Sequence, residues 1–233
     1  MSSAPFDRLY SRAVPLLLRG EQLREEPPVE GGRWPVSVVL PPDPAAAARL
    51  DGITQEVGEL AGAGHWRTGA LGFAHVTVRA LEYHRHHVDE SDDAVDRYVR
   101  AVRAAARRCS PVRLRLTGLT LAPGSVMACA LAADDRADRF RAVLAEELGP
   151  DGWMEDQLPA RDIWYLNLLH FTGDVRTPDA LIAWVSERRD LDLGPVLLDS
   201  VSVVRFQLSL APTPGMRPVV LADIALGAPA QPA

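Results

Sequence analysis

The sequence predicts an α+β protein built from a duplicated unit: two lobes of antiparallel sheet with flanking helices around a central cleft. Three observations lead there. Strand-like and helical periodicities alternate from about residue 34 onward. The stretches "LGFAHVTVRALEYH" (71–84) and "YLNLLHFTGDV" (165–175) each set a histidine, one apolar residue and a threonine in a strand-like run, with the histidines at 75 and 170. Each run is followed by a helix and then by paired strands, so the second half repeats the first, less only its opening strand.

The elements follow in order. Residues 1–33 read as an N-terminal appendage: 5–19 form a short amphipathic helix interrupted by Pro15, and "EEPPVEGGR" is a linker. "WPVSVVL" (34–40) is a buried strand stopped by "PPDP". Ala45 to Gly62 is helical, with Asp43 as cap and Pro44 at the first helical position. "GFAHVTVRALEY" is the second strand. Residues 91–108 form a helix capped by Ser91, with acids in its first turn and arginines in its last.

"VRLRLTGLTLAP" and "SVMACALAA" are strands joined by a turn at Pro123-Gly124, and in the first of them Arg113 and Arg115 alternate with Leu114 and Leu116 as on a half-buried strand. "DRADRFRAVLAEEL" is a helix ending at Gly149. A loop rich in turn formers and acids leads into the strand "YLNLLHFT". Residues 177–189 are helical, with Thr177 as cap and Pro178 at the first position. Two strands, "PVLLDSVSVVRFQLSL" and "RPVVLADIAL", precede a flexible tail at 227–233.

Composition bounds the function. The chain of 233 residues is long enough for a buried core, and its net charge of −6 gives no basic stripe for a long nucleic acid. A single phosphate-bearing ligand or an RNA end in a local pocket remains compatible. All 25 basic residues are arginine and Asn167 is the one asparagine, a bias from which no function is read. Cys109 and Cys129 have neither framework nor metal spacing and read as reduced thiols of a cytoplasmic protein. No apolar run spans a membrane, and the first 20 residues are too interrupted for a secretory signal.

Residues i and i+2 of a strand share a face, so His75 pairs with Thr77 and His170 with Thr172. Where two lobes oppose those faces, two imidazoles and two hydroxyls converge. Imidazoles with a pKa near ~6.5 supply a base and an acid together. Threonine hydroxyls hold an anion from two sides. That combination suits in-line displacement at phosphorus. Arg79, four residues beyond His75 on the same face, offers a fork of donors to a phosphate. "HRHH" (84–87) and His65 read as solvated loop residues, with no metal spacing. Trp66, Tyr83, Trp164 and Tyr165 read as core or rim packing rather than base-stacking platforms.

Two His-x-Thr strands in this element order resemble the 2H phosphoesterase superfamily, and in particular its bacterial RNA 2′,3′-cyclic phosphodiesterase (2′–5′ RNA ligase-like) branch. The resemblance covers residues 34–226, one bilobal domain with a His-x-Thr strand in each lobe. It implies His75 and His170 as catalytic residues, Thr77 and Thr172 on the phosphate, and no metal or other cofactor. It implies a metal-independent cyclic phosphodiesterase acting on an RNA terminus or a small cyclic nucleotide. The alternatives are 2′–5′ RNA ligation and a catalytically weak nucleotide-binding protein of the same fold. A monomer without membrane or protein partner is expected. The second motif departs from the first in following Thr172 with Gly173 and Asp174, and Gly173 is expected to end or bulge the strand and turn Asp174 away.

Overall fold

The computed structural model describes residues 4–158 and 162–227. Two four-stranded antiparallel sheets carry the fold. One consists of β1 (Val36–Leu40), β2 (Val76–Glu82), β7 (Ser200–Ser209) and β8 (Gly215–Ala225), in the order β2-β1-β7-β8. The other consists of β3 (Val112–Ala122), β4 (Ser125–Ala132), β5 (Trp164–His170) and β6 (Gly194–Leu198), in the order β5-β4-β3-β6. Helices α1 (Ala4–Leu18), α2 (Pro44–Ala61), α3 (Asp93–Arg108), α4 (Arg136–Leu148) and α5 (Pro178–Ser186) flank them.

The expected fold class stands, but the lobes are not the two sequence halves. The hairpin β3–β4 of the first half pairs through β4 with β5, the second histidine strand. The closing strands β7 and β8 return to pair with β1 of the first half. Each sheet therefore takes strands from both halves and still carries one histidine motif. The run read as a single strand, "PVLLDSVSVVRFQLSL", is divided at Asp199: β6 pairs with β3, and β7 with β1 in the other sheet.

Local chemistry explains the helices. Pro44 opens α2, and the Asp43 carboxylate accepts from the Ala46 N–H, as expected. For α3 the cap is Asp92, not Ser91, since its carboxylate accepts from the N–H groups of Ala94 and Val95. Asp93 and Asp96 in its first turn and Arg107 and Arg108 in its last oppose the helix dipole. Thr177 does not cap α5; its hydroxyl donates to the carbonyl of Leu60 and ties the helix to the end of α2.

The segment read as an appendage is packed into the body. Helix α1 runs through Pro15, which sits on its exposed side, because Phe6, Ala13 and Leu17 are buried. Burying two large side chains offsets the cost of an interior proline: about 1.5–3 kcal/mol each against roughly 3 kcal/mol. Thr120 of β3 donates its hydroxyl to the Phe6 carbonyl, and Arg189 pairs with Asp7. Residues 19–33 then form a strap across both sheets. The Leu23 and Glu25 N–H groups donate to the carbonyls of Pro123 and Phe171, while Gly31 and His84 exchange hydrogen bonds through Gly32 on the other side. The tail beyond residue 227 lies outside the described residues.

Candidate active site

A cavity of about 570 Å³ lies between the sheets, within the range of small-molecule sites. His75, Thr77 and Phe206 line it from one side, and Tyr165, Asn167 and His170 from the other. Arg33 and Trp34 of the strap and Thr68 complete the wall near the chemistry.

His75 sits one residue before β2 and is half-buried. Its Nδ1 donates to the Phe73 carbonyl at 2.7 Å, because a carbonyl can only accept, which leaves Nε2 as the basic nitrogen. Burial lowers its pKa to about 4, with the Phe73 carbonyl opposing and the charge of His170 adding to the fall. His75 is therefore neutral at pH 7.

His170 ends β5 and is fixed on two sides. Ser125 of β4 is its register partner, and its backbone exchanges hydrogen bonds with Trp66 at 3.1 and 2.9 Å. A register shift at Leu168 carries the extra residue that keeps His170 on the cavity face with Tyr165 and Asn167. Gly69 lies directly against that shift: its N–H donates to the Leu168 carbonyl, and a side chain there would meet the Leu168 Cα at 3.0 Å. The His170 Nδ1 lies 3.4 Å from a carboxylate oxygen of Glu25, and both side chains are buried. Trp34 stands edge-on to His170 at 5.2 Å and to Phe206 at 5.5 Å, and Phe206 lies 5.1 Å from His75. The two imidazoles thus bracket a row of aromatic rings.

No family model matches the chain, and no curated protein matches its sequence. Solved structures match its shape. TT0787 of Thermus thermophilus has a TM-score of 0.57 at 18% identity, covering 83% of this chain and 98% of that one. E. coli LigT in complex with 3′-AMP has a TM-score of 0.54 at 11% identity, covering 83% and 98%. The chain has the LigT fold. A further structure, described as a phosphoesterase, gives 0.50 at 11% identity over 87% and 99%.

On this LigT fold the predicted site residues separate. His75, Thr77 and His170 meet at the cavity. Thr172 is not among the residues lining it. Beyond His170 the loop after α2 captures the chain: the Thr172 N–H donates to His65 Nδ1 and its hydroxyl to the Gly64 carbonyl. His65 is accordingly buried, not a solvated loop residue, and its Nε2 donates to Ala61. The strand stops at His170, before Gly173 is reached, so Gly173 neither ends nor bulges it; Asp174 does turn outward, to pair with Arg24. Arg79 also points elsewhere. Its guanidinium donates to the Gly152 carbonyl at 2.8 Å and lies 3.6 Å from Asp156, so it anchors the turn at 149–157. Changing Arg79 to Ala should therefore lower thermal stability, and a melting midpoint equal to wild type would show that this anchor contributes little.

Sequence reasoning missed the strap and the cavity floor. The Oγ1 of Thr68 and the Oδ1 of Asn167 are buried and, among the described residues, have no hydrogen-bond partner. Both line the cavity, where each leaves a polar atom open to a hydrogen-bond partner. The available signal was Asn167 itself, the one asparagine of the chain. Tyr83 and Tyr165 line the cavity, whereas Trp66 and Trp164 are core residues. His84 is buried with Nδ1 on the Trp34 carbonyl, while His86 and His87 border a separate depression. Among the described residues no cluster of His, Cys, Asp and Glu has the makings of a metal centre, Cys109 and Cys129 are free and buried, and no helix is long and apolar enough to cross a membrane.

Proposed function

We propose that the protein is a metal-independent phosphodiesterase that opens a 2′,3′-cyclic phosphate on an RNA end or a nucleotide. The observation that carries this reading is the arrival of His75 and His170 from different sheets at one cavity, with Nδ1 of each already engaged. Neutral His75 takes a proton from water through Nε2. The water oxygen bonds to phosphorus, the bond from phosphorus to the 3′-oxygen breaks, and protonated His170 supplies the proton that this oxygen needs. The product is a 2′-phosphate with a free 3′-hydroxyl. Thr77 and the unpaired hydroxyl of Thr68 suit the non-bridging oxygens. Arg33 is the one guanidinium lining the cavity among the described residues, which matches the single charge of a cyclic diester better than a polyphosphate. Tyr83, Tyr165 and Phe206 offer faces to a ribose and base.

The test is turnover of cytidine 2′,3′-cyclic phosphate by the purified chain, with and without a chelator. Activity should persist in EDTA. The rate should rise as pH climbs through about 4, where His75 loses its proton, and fall again on an alkaline limb set by loss of the general acid. Stability follows the same sign: His75 lies below the ordinary histidine value, so its neutral form favours the fold above pH ~6.5 and that contribution disappears as pH falls toward about 4. Loss of activity in EDTA, restored by zinc or manganese, would overturn the two-histidine scheme. Binding without turnover would favour the nucleotide-binding alternative, for which the diverted hydroxyl of Thr172 is the supporting observation. A product joined 2′–5′ to a second RNA end would favour ligation.

A further inference from the structure

Residues 19–33 lie outside the duplicated unit, yet they bring a buried carboxylate to one of its two histidines. We propose that Glu25 is a positioning residue that holds His170 as the protonated member of the pair, so that the acid half of the site is built by the strap. The proposal rests on the two-histidine reading of the cavity.

The geometry is specific. Glu25 is buried, and an unpaired buried carboxylate is costly by several kcal/mol. Among the described residues every partner of its side chain is a donor: Arg33 at 2.7 Å, the Trp34 indole N–H at 3.2 Å and His170 Nδ1 at 3.4 Å. Its place is tied to the residues after His170, since its own N–H donates to Phe171 and the amide of Gln22 donates to Gly173 at 2.8 Å. Trp34 adopts a positive φ of 72°, a conformation costly for a non-glycine residue, while its indole meets both Glu25 and His170.

The asymmetry between the histidines follows. The Nδ1 of His75 faces a neutral carbonyl, which selects a tautomer and favours charge too weakly to offset burial. The Nδ1 of His170 faces a carboxylate, which selects the tautomer and favours the charged ring. Burial pushes the Glu25 carboxyl up, but the hydrogen bond and charge of His170, the charge of Arg33 and the Trp34 N–H outweigh it and hold Glu25 below the usual range. The charged groups around the pair are Arg33 on Glu25 and His75 across the cavity, with Arg24 and Asp174 pairing at the strand end. His65 lies beyond Phe171 and is occupied by Ala61 and Thr172.

Glu25→Gln tests this in the full chain. With cytidine 2′,3′-cyclic phosphate, kcat should fall about 10–100-fold with KM nearly unchanged, an effect of the size seen for groups that orient a ligating histidine. The alkaline limb of the pH profile should move to lower pH. Gln22→Ala loosens the same strap without removing charge and should keep the wild-type limb. Equal limb shifts in both variants, or none in Glu25→Gln, would overturn the proposal. A ring-nitrogen NMR titration separates this from failure of the functional reading. Even in a chain without turnover, the His170 midpoint should fall in Glu25→Gln while that of His75 stays, and an unmoved His170 midpoint overturns the role. Should Glu25→Gln not fold, Glu25→Asp keeps the charge but withdraws it by one methylene, and a His170 midpoint equal to wild type there would likewise refute it.

Discussion

Changing His75 or His170 to Ala should each remove most turnover of a 2′,3′-cyclic nucleotide, by about 10²–10⁴-fold, the usual worth of acid or base assistance. The two losses have different causes. Without His75 no neutral imidazole accepts the water proton, and the cavity keeps its hydroxyls and Arg33. Without His170 the leaving oxygen departs unprotonated, and the Glu25 carboxylate keeps Arg33 and the Trp34 N–H but loses its third donor. His170→Ala should therefore also lower stability, so activity is compared at a temperature where circular dichroism shows both variants folded. The double variant should lose less than the product of the single losses, because the histidines act as a unit. Wild-type-like turnover by either folded single variant would refute the mechanism.

The largest effect on stability is expected at Gly118. This residue follows a register shift in β3 and has φ +136°, a backbone region that side chains rarely enter. A Cβ added there would lie 1.9 Å from the Arg189 carbonyl oxygen and 2.5 Å from its carbon. Both are backbone atoms of the turn after α5, so no rotamer change relieves the overlap. Nor can that turn simply retreat, because the Leu119 N–H donates to the Arg188 carbonyl at 2.9 Å and Arg189 pairs with Asp7 of α1. The backbone conformation costs about 1–3 kcal/mol and the overlap a similar amount. For a chain of this size Gly118→Ala should lower Tm by roughly 10 °C, at 2–4 °C per kcal/mol. A thermal midpoint unchanged from wild type would show that β3 and the turn separate more freely than their contacts indicate.

The sequence by itself determined what depends on neighbours along the chain. Alternating polarity marked β3 with Arg113 and Arg115 outward, Pro123-Gly124 marked its turn, and Asp43-Pro44 marked the start of α2. The repeated His-x-Thr placed two imidazoles at equivalent points of a duplicated unit, and His75, Thr77 and His170 reach one cavity. Each of these is a matter of pleat, cap or turn within a few residues.

The tertiary structure decided which strand pairs with which. Polarity states which face of a strand is buried but not against what, so the exchange of hairpins between halves and the division at Asp199 left no local trace. Thr172 illustrates the limit. Its spacing from His170 puts both on one face only while the strand continues, and the strand stops because Gly64 and His65, more than 100 residues earlier, take its polar groups. Arg79 likewise has a face set by the pleat and a partner set by the distant turn at Gly152. Glu25 looks like one acid among several in a linker, and becomes the partner of His170 only once the strap is anchored on Pro123 and Phe171. A buried carboxylate gains its role from donors brought to it by packing, and packing joins residues that periodicity cannot relate.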